Sequence, residues 1–160
     1  MPQGFTHVDS QGAARMVDVS DKPVTTRTAT ATGRLRTSPQ VVALLRDDRL
    51  PKGDALAVAR IAGIAGAKRT PDLIPLCHPV ALHSVTVDLE VVADGVLITA
   101  TTRTADRTGV EMEALTAVAV AGLALVDMVK AADRGASITD VRVEAKAGGR
   151  SGSLRRETAE

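Results

Sequence analysis

Four groups of residues in this chain have types and spacings that suggest chemistry. The first is the run Leu73, Ile74, Pro75, Leu76, Cys77, His78, Pro79, which sets a thiol and an imidazole side by side between two prolines. Each proline fixes its own φ and biases the residue before it towards an extended conformation, so the backbone of Leu76, Cys77 and His78 is expected to be nearly straight. Consecutive side chains of an extended segment point to opposite faces. His78 is then free to face a ligand while Cys77 packs inward, which argues against a paired Cys–His nucleophile. Cys77, His78 and His83 match no common zinc-ligand spacing and no second ligand cluster accompanies them, so no metal site is expected.

The second group belongs to one long apolar helix, expected from Glu111 to about Asp133 with Gly135 as its cap. Asp127 and Lys130 are three apart and share a face, the arrangement of a coupled acid/base pair or of an ordinary exposed ion pair. The segment before them is apolar nearly all round, which favours burial and perturbed pKa values. Glu113 and Asp127 lie fourteen residues apart, about 21 Å along a helix axis. If one small-molecule site uses both, it must take them from different subunits.

The third group is basic. Lys52 stands in a Pro51-Lys52-Gly53 turn, exposed by position, and Lys68-Arg69 closes a helix where positive charge complements the dipole. The fourth is Lys146 followed by Gly148, Gly149, Arg150, Ser151 and Gly152. Glycines let backbone N–H groups close on an anion while Lys and Arg supply charge. Taken alone, the same residues read equally well as a flexible tail.

The elements that must position these groups follow from patterning. Val24 to Leu35 is threonine-rich with alternating small residues, Ser84 to Val92 and Val96 to Thr104 alternate around an Asp94-Gly95 turn, and Ile138 to Lys146 alternates again, giving four strands. Ser38 before Pro39 caps a short helix to about Asp48, and Asp54 caps a second to about Lys68. With the long helix this is strand, two helices, two strands, helix, strand. That order implies one α+β domain over residues 1–160, a sheet with helices on one face, an irregular arm over about 1–20 and a flexible tail over about 147–160. Phe5 is the only aromatic residue, so stacking platforms for single-stranded nucleic acid are excluded and the core must be aliphatic. Lys plus Arg number 20 against 19 Asp plus Glu, which gives no bias towards nucleic acid or anionic membrane. One cysteine and no signal-peptide pattern point to the cytoplasm. The longest apolar stretch, Ala114 to Val126, is shorter than the roughly 20 residues of a spanning helix.

Several long motifs in order carry a family resemblance over nearly the whole chain: Thr6 to Asp9, Met16 to Ser20, Lys52 to Asp54, Ala59 to Ile64, Ala67 to Thr70, Leu73 to Pro79, Thr108 to Thr116, Asp127 to Ala131 and Lys146 to Gly152. Together they resemble the cyclic pyranopterin monophosphate synthase family, molybdenum cofactor biosynthesis protein C. The resemblance implies a ferredoxin-like α+β fold with a four-stranded antiparallel sheet, assembled as a homohexamer (a trimer of dimers) with active sites at subunit interfaces. It implies a lyase that converts a 3′,8-cyclised dihydroguanosine triphosphate to cyclic pyranopterin monophosphate and diphosphate. It assigns Leu76, Cys77 and His78, with Met112 and Glu113, to substrate binding, Asp127 to the active site, and Lys52 and Lys130 to general acid/base catalysis, with Lys52 expected from a different subunit than Asp127 and Lys130. It places Arg27, Lys68 and Lys146 in the anion pocket. No cofactor is required by the sequence, although magnesium can accompany a triphosphate. The competing class is a non-catalytic oligomer that binds a nucleotide as a regulatory ligand, which leaves Asp127 and two separate lysines without a purpose.

Overall fold

A computed structural model of the chain describes residues 6–157, so Phe5 and the ends of the expected arm and tail lie outside the described residues. The elements run β1 (Thr25–Arg36), α1 (Pro39–Arg46), α2 (Ala55–Lys68), α3 (Thr70–Leu73), β2 (Leu82–Val92), β3 (Gly95–Asp106), α4 (Glu111–Val129), β4 (Ser137–Ala147) and β5 (Leu154–Arg155). All pairings are antiparallel in one sheet of order β2-β3-β1-β4-β5. The four expected strands form, and the α+β class is the one observed. A fifth, two-residue strand at Leu154–Arg155 pairs with β4 inside the segment expected to be a flexible tail. The hairpin loop is Ala93-Asp94, one residue earlier than expected, because Gly95 already pairs with Val92.

Period-two burial fixes which face of the sheet meets the helices. Ala29, Ala31 and Leu35 of β1 and Val96, Ile98 and Ala100 of β3 are buried, and α4 lies over them with Ala114, Ala117, Val118, Ala121 and Leu125 fully covered. With almost no aromatic volume, the core closes by bringing backbones together. A Cβ on Gly63 of α2 would stand 2.9 Å from the Ala117 carbonyl oxygen, and one on Gly66 would stand 2.8 Å from Val120 Cβ. Small residues on α2 thus set how closely it packs on α4. By length and composition α4 could cross a bilayer, contrary to the expectation from its shorter unbroken apolar run. Here it is the core helix, with ten of its residues buried.

Two local expectations are corrected. The long helix ends at Val129 rather than near Asp133. The Ala132 and Asp133 N–H groups both donate to the Val129 carbonyl. The Asp133 carboxylate then accepts from Thr37 Oγ1 at 2.8 Å, Ser38 N at 2.9 Å and Gly135 N at 2.8 Å, drawing the chain off the helix axis towards the start of α1. The stretch around Cys77 is also not straight throughout. The Cys77 N–H donates to the Ile74 carbonyl at 3.1 Å, closing a turn with Pro75 and Leu76 at its centre. Proline's fixed φ suits the second position of such a turn as well as it suits extended chain.

Candidate active site

The C-terminal end of α4 carries a three-residue charged cluster. Lys130 Nζ donates to Asp127 Oδ1 at 2.7 Å, while Lys52 Nζ lies 3.4 Å from Asp127 Oδ2 and donates to the Asp127 carbonyl oxygen at 2.8 Å. A carbonyl in a helix's last turn lacks an internal partner, so the Lys52 ammonium both caps α4 and completes the cluster. Lys52 reaches this point from its own chain, which corrects the expectation that another subunit supplies it. The Leu50 to Gly53 turn, closed by Gly53 N donating to the Leu50 carbonyl, carries Lys52 there. The Lys130 hydrogen bond and charge, then Lys52, hold the Asp127 carboxyl below the usual carboxylate range. The expected burial of this pair is not seen in the single chain. The three side chains are 43%, 59% and 58% exposed for Lys52, Asp127 and Lys130. Ion pairs this exposed contribute little to folding.

At the other end of α4 a cavity of about 380 Å³ is lined by His7, Ile74, Leu76, Cys77, His78, Thr108, Gly109, Glu111, Met112 and Glu113. All five residues expected to bind the base lie in it. Cys77 and His78 both line it, so the expectation that Cys77 turns away fails, because the turn before it breaks the strict alternation of an extended chain. Burial, then the Glu113 charge, raises the Cys77 thiol, which leaves it a poor nucleophile. His78 Nε2 donates to the Val17 carbonyl at 2.5 Å, tying the N-terminal arm to the cavity. Glu113 is only 3% exposed. Burial pushes its carboxyl up to about 7, with the nearby Glu111 adding to the rise and a backbone hydrogen bond opposing it. The cavity therefore holds a carboxyl poised near neutrality among imidazole, thioether and aliphatic groups.

A separate cationic hollow of about 310 Å³ is lined by Lys22, Pro23, Thr25, Arg27, Gly149 and Arg150. Arg27 is fixed by donating to the carbonyls of Asp106 at 3.0 Å and Arg107 at 3.1 Å. Its guanidinium crowds the place where a side chain on residue 149 would begin, and residue 149 has φ +76, a left-handed conformation that favours glycine. Lys146 pairs with Glu111 at 3.2 Å and with Ser151 Oγ at 3.0 Å, linking the glycine-rich turn to the Glu113 cavity. Lys68, by contrast, is exposed at the end of α2 and lines neither hollow. Lys22 escaped the sequence reading, whereas Arg150 was flagged there with the glycine-rich segment. Glu111 had a signal, an acidic residue in the first turn of α4 two before Glu113. Among the described residues no group of three or more His, Cys, Asp and Glu side chains is placed to hold a metal ion.

Residues 16–149 match the model of the MoaC family. The chain is 68% identical over 156 residues to the cyclic pyranopterin monophosphate synthase of Streptomyces griseus, covering 98% of this chain and 88% of that protein. It is 63% identical over 158 residues to the protein of the same name from Nocardioides, covering 97% of each. The like-named protein of Dinoroseobacter shibae is 56% identical over 156 residues, covering 96% of this chain and 99% of that one. The matched spans take in both ends of α4 and the elements that hold them, and the chain belongs to the MoaC family.

Proposed function

We infer that this protein is a cyclic pyranopterin monophosphate synthase of molybdenum cofactor biosynthesis. As a lyase it converts (8S)-3′,8-cyclo-7,8-dihydroguanosine 5′-triphosphate to cyclic pyranopterin monophosphate and releases diphosphate. The regulatory, non-catalytic alternative loses its footing against relatives that carry an enzyme's name over nearly their whole length.

The division of labour rests on one observation. The Lys52–Asp127–Lys130 cluster and the Glu113 cavity sit at opposite ends of one rigid helix, fourteen residues apart, or about 21 Å. In this reading Lys130, steered by Asp127, and Lys52 transfer protons as the purine-derived ring opens and the pyranopterin forms. His78 and Glu113, with Leu76, Cys77 and Met112, hold the base. A carboxylate accepts paired N–H donors of a purine edge, and with Nε2–H donating to the Val17 carbonyl, the other His78 ring nitrogen accepts from a further N–H of the ring. Arg27 and Lys146 seat the phosphates, joined by Lys22 and Arg150 in the same hollow and by Lys68 from a neighbouring subunit. The reaction needs no resident cofactor, and any magnesium arrives on the triphosphate.

Because no single chain brings the two ends of α4 together, a complete site pairs one subunit's cluster with another's cavity. We place these sites at the interfaces of a homohexamer, a trimer of dimers, working in the cytoplasm. Exposed apolar side chains on the helical layer, Val58, Ile61 and Leu123, favour such association. Mixing subunits tests it. Lys130→Ala and His78→Ala proteins are each expected to be inactive on the cyclised nucleotide. Unfolded and refolded together in equal amounts, they should regain about a quarter of the sites, because two-subunit sites combine at random. No product from the mixture would mean that each site is built from one chain.

A further inference from the structure

The motif Thr6 to Asp9 has been given no role so far, yet the structure brings His7 onto the wall of the Glu113 cavity. The segment that carries it is a small built hairpin. Val8 bridges Ala14, the Arg15 N–H donates to the His7 carbonyl at 2.9 Å, and the Asp9 N–H donates to the Ala13 carbonyl at 2.9 Å. The Asp9 carboxylate closes the turn by accepting from the N–H groups of Gln11 and Ala13, each at 2.9 Å. Just past the hairpin, the Val17 carbonyl takes the His78 Nε2 proton, and the Lys22 carbonyl takes Arg107 Nε at 3.0 Å. The first of these ties is made by a side chain of the cavity itself. The hairpin is therefore registered against the base-binding wall and not merely near it.

We propose that His7 is a further substrate-contact residue, whose imidazole meets the polar edge of the purine-derived ring from the side opposite the α4 wall. The chemistry of the cavity supports this role. Glu113 offers an acceptor to the ring's N–H groups, but His78 has already spent Nε2 on Val17 and keeps only its other nitrogen for a ligand. A second imidazole supplies the donor that a ring carbonyl needs. The hollow is poor in cations, so it is the base and not the triphosphate that His7 would touch. The match to the family model begins at residue 16, so this wall is contributed by a segment that lies before it.

The inference rests on the synthase reading, and the experiment separates the two. Steady-state kinetics on the cyclised triphosphate are compared for the full-length wild type, His7→Ala and His7→Gln. Hydrogen exchange of residues 6–17 is followed with and without guanosine triphosphate as an unreactive probe. His7→Ala should raise KM about fivefold to tenfold with little change in kcat, the loss of one substrate hydrogen bond, and His7→Gln should recover part of it. Exchange across 6–17 should slow when the nucleotide binds. Unchanged KM in His7→Ala together with unchanged exchange, in a wild type that turns over, overturns the role of His7 alone. A wild type that yields no product overturns the synthase reading instead.

Discussion

Replacing Glu113 by glutamine should stabilise the protein above neutral pH and leave it nearly unchanged in acid. The side chain is 3% exposed, and its carboxyl is raised from an ordinary 4.5 to about 7, mainly by burial. Holding the charged form in the folded chain therefore costs about 3 kcal/mol relative to the unfolded chain. The sign follows from proton counting. Between pH 4.5 and about 7 the folded state holds the Glu113 proton and the unfolded state does not, so stability falls as pH rises through that window. Glutamine has nearly the same shape and never ionises. The variant should match wild type at pH 4.5 and below, then pull ahead as pH rises, by about 3 kcal/mol above pH 7.5. For a domain of this size that is a gap in Tm of roughly 6–12 °C. Thermal melts of the two proteins from pH 4 to 8.5, at equal concentration, read it directly. Parallel curves across the range would refute the buried, near-neutral carboxyl. The same linkage predicts that nucleotide binding near pH 6.5 releases protons, since an N–H edge favours the ionised carboxylate, and calorimetry in buffers of different ionisation enthalpy would count them.

Lys52→Ala should lower kcat by about 10²-fold or more, the usual worth of a general acid/base, and Lys52→Arg should not restore it, because guanidinium keeps the charge but gives up no proton. Product assays on assembled protein check this, and near-normal turnover in either variant would remove Lys52 from the chemistry. Gly148 has φ +95, and a Cβ there would stand 2.2 Å from the Thr26 carbonyl oxygen. Gly148→Ala should push the end of β4 off β1, disturb Arg27 and Lys146 together, and raise KM for the triphosphate by roughly tenfold or more. Asp133 is held below the usual carboxylate range by Thr37 first, then by the Gly135 and Ser38 N–H groups. Its contribution is present above its ordinary pKa of 3.8 and lost as pH falls through the lower folded value. Asp133→Asn should lower Tm at pH 7 and converge on wild type in strong acid.

Much of the fold was legible because its signals are local. The strands alternate with period two, and Ser38-Pro39 and Asp54 cap α1 and α2 where expected, with Val41 N donating to Ser38 Oγ and Ala57 N to Asp54 Oδ1. That Leu76, Cys77, His78, Met112 and Glu113 gather around one cavity was legible from their types and from the motifs that hold them. What was not legible depends on choices made far along the chain. Pro75 is compatible with extended chain and with a turn, and the decision falls to the Cys77–Ile74 hydrogen bond. The end of α4 was misplaced because Gly135 is a plausible cap, while the actual terminator, Asp133, bonds to Thr37 and Ser38, which lie 96 and 95 residues earlier in the chain. Lys52 meets Asp127 only because the tight exit from α1, with Asp48 at φ 52 and a 3.0 Å bond from Arg49 N to the Leu44 carbonyl, aims the next turn at the end of α4. Lys22 and Arg150 share a hollow only because β1 and β4 are neighbours in the sheet.

The exposure of the Lys52–Asp127–Lys130 cluster bears on the proposal that a complete site takes two subunits. A lysine gives up its proton readily near neutral pH only when its charged form is penalised, by burial or by other cations. In the single chain Lys52 and Lys130 stand about half in water, and both touch the Asp127 carboxylate. The cavity at the far end of α4 has the opposite character: it is already dry enough to keep Glu113 protonated to about pH 7. Laying a neighbour's cavity, filled with substrate, over the exposed cluster would withdraw water from the lysines and surround them with a polyanion's reacting groups instead. The rigid length of α4 keeps a chain from doing this to itself, so on the proposed reading the cluster and the cavity complete one site only between subunits.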